Sequence, residues 1–333
     1  MGTPLKNTWA KLLVIAAVTL SAGTANAADQ LTVQLSWLPG GDRAHFYLAK
    51  EAGLFAAENL EVRLLPGKGA TDALVKVATG SADLGEAGLN ALLAAKAESD
   101  APVKAILPVH TKVPDALMTT TTSGIKSLKD VEGRKIATAP FTSSNGPWPF
   151  LVRLNGADPE KVILIKAAPT ALTPMLATGQ VDAIIQFVNT APHVERVLAD
   201  ANKQLLVIPW AQHGLEGYSG SIFASDKALG TKRDVIARFV RAIKRAILMV
   251  QKDPVAAAAA LKANVPETDV TVAEEGIRAT LPLMFNENTE RDGFGVFTPA
   301  MVAKTWHWVA KQQGLPAEKI NPMTAIDLSF AKN

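Results

Sequence analysis

From Leu31 onward the chain alternates short runs of branched apolar residues with stretches in which apolar positions recur at helical spacing. In the first half, Leu31–Leu35 reads as a strand, Ala44–Phe55 as a helix with Phe46, Leu48, Ala49 and Leu54 on its apolar side, and Leu60–Leu65 as a second strand. A helix over Ala70–Ala78, a short strand at Leu84, a helix over Leu89–Ala97 and a strand over Val103–Val109 complete a βαβαβαβ series with ordinary loop lengths. The polar run Thr119–Ser123, closed by Gly124, breaks this rhythm and reads as a crossing. A second series follows, with strands at Lys135–Ala139, Val162–Lys166, Val181–Gln186 and Gln204–Ile208 and helices at Gly146–Leu154, Leu172–Thr178 and Pro192–Leu198. After Gly217-Tyr218-Ser219-Gly220 the pattern turns helical, with segments at Arg233–Gln251, Pro254–Ala263, Val270–Pro282 and Pro299–Gln313 expected to pack back on the first series.

This alternation predicts an α/β protein of two lobes, each with its own parallel-rich sheet and flanking helices, the second lobe inserted into the first through two crossings. The expected division is a leader over 1–28, lobe I over 29–118 and 221–333, and lobe II over 119–220. Open parallel sheets bind ligands beyond their strand C-termini, so the cleft between the lobes is the expected site.

Composition narrows the function classes. With 333 residues, 48% of them hydrophobic and 20% charged, the chain is too apolar for disorder and long enough for two domains. Residues 1–28 read as an export signal: Lys6 and Lys11 form a basic start, Leu12–Leu20 an apolar stretch too short to span a bilayer, and Ala25-Asn26-Ala27 a cleavage site. Without those two lysines the 34 basic and 31 acidic residues become 32 against 31, a net charge of +1 with no basic cluster, which argues against a nucleic-acid partner. The absence of cysteine excludes disulfides, thiolate metal sites, cysteine nucleophiles and a lipid anchor on cysteine. The most apolar later helix, near Val235–Val250, carries Arg238, Arg241, Lys244 and Arg245 and does not read as a membrane span. A soluble protein of the Gram-negative periplasm is the resulting expectation.

Several segments carry a family resemblance. Trp37-Leu38-Pro39, His45-Phe46-Tyr47-Leu48-Ala49-Lys50-Glu51-Ala52-Gly53-Leu54-Phe55, Gly67-Lys68-Gly69, Gly80-Ser81-Ala82-Asp83-Leu84-Gly85, Gly133-Arg134-Lys135-Ile136-Ala137 and Gly179-Gln180-Val181-Asp182-Ala183 stand in the order and spacing found in one group of proteins. With Gly295-Val296-Phe297, Trp306 and Gln313-Gly314-Leu315, the chain resembles the periplasmic substrate-binding proteins of the nitrate/sulfonate/taurine type, in particular the thiamine-pyrimidine-precursor binders. The resemblance implies a bilobal periplasmic-binding-protein fold of type II and a monomer that closes on a small molecule and delivers it to the permease subunits of an ABC importer. It implies no cofactor and no enzymatic activity. One departure bears on the ligand: where nitrate- and sulfonate-type members often continue Gly-Gln-Val-Asp-Ala with Trp-Glu-Pro, this chain has Ile184-Ile185-Gln186-Phe187-Val188-Asn189, which speaks against inorganic oxyanions and taurine. A relative in the wider group, the fungal pyrimidine synthase, is an enzyme that depends on a cysteine-rich segment, and this chain has no cysteine.

Binding in such a cleft needs aromatic faces and a few convergent polar groups. After the first strand, Trp37 is placed to stack on a ring or to pack the lobe edge, Arg43 to pair a ligand carboxylate or its neighbour Asp42, and His45 to touch ligand or to sit buried. Glu86 and Asn90 follow the third strand, where a carboxylate suits a ligand presenting N–H donors or complements a helix start. Ser143, Ser144 and Asn145 offer hydroxyl and amide groups or ordinary caps, and Trp148 is a partner for Trp37 across the cleft or a core residue. Gln186 and Asn189 end a strand facing the cleft, and Tyr218 in the second crossing lines the site or braces the hinge. The favoured ligand is flat and weakly charged: a pyrimidine, a flavin-like ring or an aromatic carboxylate. The five histidines show no metal-binding spacing, and no nucleophile elbow or phosphate loop is present. The alternative function is an enzyme on the same fold acting on a heteroaromatic metabolite through Glu86 or His45.

Overall fold

The computed structural model describes residues 1–2 and 27–331, so the expected export leader lies almost wholly outside the described residues. Ten strands follow in chain order: β1 (Asp29–Gln34), β2 (Leu60–Leu65), β3 (Leu84–Gly88), β4 (Val103–Pro108), β5 (Asp115–Thr120), β6 (Lys135–Thr138), β7 (Ile163–Lys166), β8 (Ala183–Phe187), β9 (Leu205–Pro209) and β10 (Gly220–Ser225). They form two five-stranded sheets, ordered β2-β1-β3-β10-β4 and β7-β6-β8-β5-β9. In each sheet one strand runs against the rest: β10 pairs antiparallel with β3 and β4, and β5 with β8 and β9. These two are the strands by which the chain enters the second sheet and returns to the first.

The expected crossing at Thr119–Ser123 is therefore displaced. Thr119 and Thr120 belong to β5, and the segments that join the sheets are residues 109–114 and 210–219. All six residues of β5 are buried, and so are all six of β10. Polar members of these strands find partners inside: the Thr119 hydroxyl donates to the Asp182 carbonyl at 2.6 Å, and that of Ser221 to the Ser219 carbonyl at 2.9 Å. A Thr-rich or Gly/Ser-rich run can thus form a central strand once ladder and side chain satisfy every polar group.

The joining segments bond to each other. The Val109 and His110 amides donate to the Gly220 carbonyl at 2.8 and 2.9 Å, and the Ser219 amide donates to the His110 carbonyl at 3.0 Å. Tyr218 braces the second segment: its hydroxyl donates to the Val296 carbonyl at 2.9 Å and accepts from the Thr298 amide at 3.0 Å. An apolar cluster runs through this region and joins residues of both sheets, among them Val103 and Phe223 with Leu117 and Ile136.

The C-terminal helices Arg233–Lys252 and Pro254–Asn264 pack on the helix Ala44–Glu51 beside the first sheet, as expected. The helix Pro299–Gln312 does more, touching both Leu89–Ser99 and Pro147–Leu154, and so ties the first sheet's helices to the second's. Within that packing lies Trp148, 2% exposed, with its ring 5.7 Å from that of Trp210 at an interplanar tilt of 33°. Trp148→Ala would leave a cavity in this core, and we expect a loss of about 3–5 kcal/mol of stability. The midpoint of urea unfolding, compared with wild type, measures it.

Candidate functional site

The C-terminal ends of β1 and β8 face a cavity of about 650 Å³ between the two sheets. One wall comes from the loop after β1, where Ser36 to Arg43 all line it, and from the helix Val270–Met284 through Val272, Ala273 and Gly276. The facing wall is built from Ser143 and Ser144, from Pro169 and Thr170 at a helix start, and from Gln186, Phe187 and Asn189 at the end of β8. This size suits a ligand of roughly drug or vitamin dimensions.

The lobes meet at both rims. Arg196, on the helix Ala191–Asp200, forms an ion pair with Glu275 on Val270–Met284. At the other rim a Cβ on Gly69 would overlap the carbonyl of Phe141, so only glycine admits this approach. Gly41 is similarly close to the helix Val270–Met284, with a Cβ there falling 2.7 Å from the Ile277 amide nitrogen. Trp37 lines the cavity from the first sheet while packing against the apolar cluster of the second.

Arg43 is the only lysine or arginine among the described lining residues, and it is already occupied. Only 3% exposed, it pairs with the Asp42 carboxylate, donates from Nε to Glu86 Oε2 at 3.0 Å and from Nη2 to Ser36 Oγ at 2.9 Å. Ser36 Oγ in turn donates to the same Glu86 oxygen at 2.9 Å. Burial works against the Arg43 charge, but the Asp42 and Glu86 carboxylates outweigh it and raise the guanidinium pKa. Arg43 is thus an internal counter-ion. Glu86 points into this cluster and does not line the cavity.

His45 lies behind the cluster, outside the lining, with Nε2 unpartnered. Burial holds its pKa down to about 3, with His110 and Arg43 adding to the effect. His110, in the first joining segment, is also buried with Nε2 unpartnered, and burial lowers its pKa although Asp42 and Glu86 pull the other way.

On the second wall, Ser144 is buried and donates to the carboxylate of Asp115 at the start of β5. Among the described residues Asp115 has no cationic partner; burial pushes its pKa up to about 6 against the opposing Ser144 hydrogen bond. Asn145 turns away from the cavity, its Nδ2 donating to the Ala139 and Pro140 carbonyls at 2.8 Å each and its Oδ1 accepting from Lys166 Nζ at 2.7 Å.

Of the residues expected at the site, Trp37, Arg43, Ser143, Ser144, Gln186 and Asn189 are brought together around the cavity. His45, Glu86, Asn90, Asn145, Trp148 and Tyr218 are not among its lining. Trp148 is spent on Trp210 rather than set opposite Trp37, and the Tyr218 hydroxyl is saturated by backbone. Asn90 sits on the first turn of the helix Leu89–Ser99, beside Gly88 and Ser219. Sequence reasoning missed the wall from Val265 to Gly276, because an amphipathic helix far along the chain gives no sign of which partner its rim meets.

The NMT1/THI5-like family model matches residues 41–257, well over half of the chain. The chain belongs to that family. Among curated relatives, the formylaminopyrimidine-binding protein of Halalkalibacterium halodurans is 24% identical over 283 residues, 83% of this chain and 84% of its own. The riboflavin-binding protein RibY of Chloroflexus aurantiacus is 24% identical over 310 residues, 91% and 86% of the two chains. Among solved structures, the alkanesulfonate-binding protein SsuA from Xanthomonas axonopodis superposes with a TM-score of 0.69 at 17% identity, covering 90% of this chain and 98% of that one. The desulfurization enzyme DSZB superposes with a TM-score of 0.60 at 16% identity, over 92% and 98%. The fold is that of periplasmic binding proteins, and it hosts binders and an enzyme alike. Among the described residues no helix is long and apolar enough to cross a membrane.

Two predictions follow from these charges. Arg43→Met strands two buried carboxylates and should cost about 3–5 kcal/mol, whereas adding Asp42→Asn and Glu86→Gln should recover part of it, as denaturant titration would reveal. Asp115, with its folded pKa raised to about 6 from an ordinary 3.8, contributes stability that is complete below pH 3.8 and lost as pH rises toward 6. His45 and His110, held below their ordinary value, slope the other way, so the signature is a difference. Asp115→Asn should gain on wild type as pH climbs from 4 to 7, read from melting temperatures across that range.

Proposed function

We propose that this protein is an exported solute-binding protein that captures a small heteroaromatic or aromatic molecule between two lobes and delivers it to an ABC importer. The observation that carries this reading is the cavity itself: about 650 Å³, set between two sheets joined by two adjacent segments, with Trp37, Leu38 and Phe187 as apolar surface and Ser143, Gln186 and Asn189 as polar groups. The names of the pyrimidine- and riboflavin-binding relatives support a ring-shaped ligand. In this reading residues 1–28 are cleaved on export, the mature chain works as a monomer in the periplasm, and the importer's permease subunits read the closed shape.

The lobes are the two sheets with their helices, and residues 109–114 and 210–219 are the hinge. The Arg196–Glu275 pair and the approach of Gly69 to Phe141 span the cleft, which fits a closed conformation. Ligand bridging both walls shifts the hinge equilibrium toward that state.

The enzymatic alternative rested on Glu86 or His45 as acid or base. Glu86 is held by Ser36 and Arg43, His45 is buried, and neither lines the cavity, which favours a binder. Riboflavin, a formylaminopyrimidine and an aromatic carboxylate, offered to the mature protein, should include at least one that raises the melting temperature and reduces the radius of gyration in small-angle scattering. That ligand should be recovered unchanged after prolonged incubation. No shift with any of the three would overturn the ligand class, and turnover would overturn the binding role.

A further inference from the structure

Asn189 is 6% exposed and lines the cavity at the end of β8, yet neither end of its carboxamide has a hydrogen-bond partner among the described residues; Oδ1 is wholly buried without one. A buried amide left unpaired is costly, and a native site retains one where something else completes it. Gln186, three residues earlier on the same wall, likewise has no side-chain partner among the described residues. Three other polar groups of the lining are already engaged: Arg43 by two carboxylates, Ser144 by Asp115 and Ser36 by Glu86.

We propose, resting on the heteroaromatic-binding reading above, that Asn189 is the residue that reads the ligand's edge: a turn of its carboxamide about χ2 brings the buried Oδ1 to the cavity, where the amide pairs in bidentate fashion with a ring edge that places an N–H donor beside an acceptor. A free carboxamide offers one donor and one acceptor at the spacing of such an edge, the same match by which Asn and Gln recognise adenine. An aminopyrimidine supplies it through the exocyclic amine and adjacent ring nitrogen, and a flavin through its ring N–H and neighbouring carbonyl. A sulfonate or carboxylate supplies only acceptors. It would leave Asn189 Oδ1 unpaired and meet an arginine whose charge Asp42 and Glu86 already balance. The acidic side chains Asp42, Glu267 and Asp269 of the lining add to that discrimination.

The test uses two matched pairs, 4-aminopyrimidine with 4-dimethylaminopyrimidine and riboflavin with 3-methylriboflavin, plus benzenesulfonate, titrated calorimetrically into the mature wild-type protein and Asn189→Leu. In at least one pair, wild type should prefer the N–H-bearing member by about 10- to 100-fold in Kd, and Asn189→Leu should erase the preference while leaving the methylated member's affinity within about threefold. Asn189→Ala gives the same readout should the leucine variant fail to fold, with far-UV circular dichroism as the check. If the rings bind both proteins with the same preference, or benzenesulfonate binds wild type more tightly than either ring, Asn189 loses this role while the solute-binding reading stands. If neither ring binds wild type, the heteroaromatic reading falls, and this assignment falls with it.

Discussion

The buried ion cluster around Arg43 sets much of what this protein can do. One guanidinium lies between the Asp42 and Glu86 carboxylates, with the Ser36 hydroxyl bridging guanidinium and carboxylate. Its bonds tie the loop after β1 to the adjacent strand β3, and so hold in place the segment that carries Trp37 into the cleft. A buried charge is tolerable only when paired, and here the pairing is internal. The charge of Arg43 is therefore more than offset, one cation against two carboxylates, before any ligand arrives. The same arrangement engages the one arginine among the described lining residues, the group an anionic solute would pair with.

The second constraint is the exchange of one strand between the sheets. Because β5 and β10 run through the interior against their neighbours, the two joining segments are forced side by side and bond to each other through His110, Ser219 and Gly220. An apolar cluster shared by both sheets continues across this region. The cleft side is different in kind, spanned by the half-buried Arg196–Glu275 pair and the approach of Gly69 to Phe141. Packing that resists water on one side and contacts that water can replace on the other are what a cleft opening about those segments requires.

Much of the architecture was legible in the chain. The bounds Leu60–Leu65 and Ala70–Ala78 match the spacing of apolar residues in the sequence, since each element has one buried side and one exposed side. β5 and β10 escaped because they are buried on every side, so no alternation marks them, and their Thr, Ser and Gly content mimics a loop. At the site, Trp37, Arg43, Ser143, Ser144, Gln186 and Asn189, which follow strand ends on the cleft side, line the cavity. Expected residues that do not line it, such as Trp148 and Tyr218, are large aromatics whose type suits a ligand and a core equally well.

The sequence by itself determined the α/β alternation, the two-lobe organisation of parallel-rich sheets, the family and the absence of thiol chemistry, because these follow from periodicity, motif order and composition. Only the tertiary structure decided which polar side chains are free. Arg43 and Asn189 are equally plausible ligand contacts on paper, but one is consumed by Asp42 and Glu86 and the other has no partner among the described residues. Availability depends on distances between residues far apart in the chain, such as Arg43 and Glu86 at 3.0 Å, and local sequence carries no record of them.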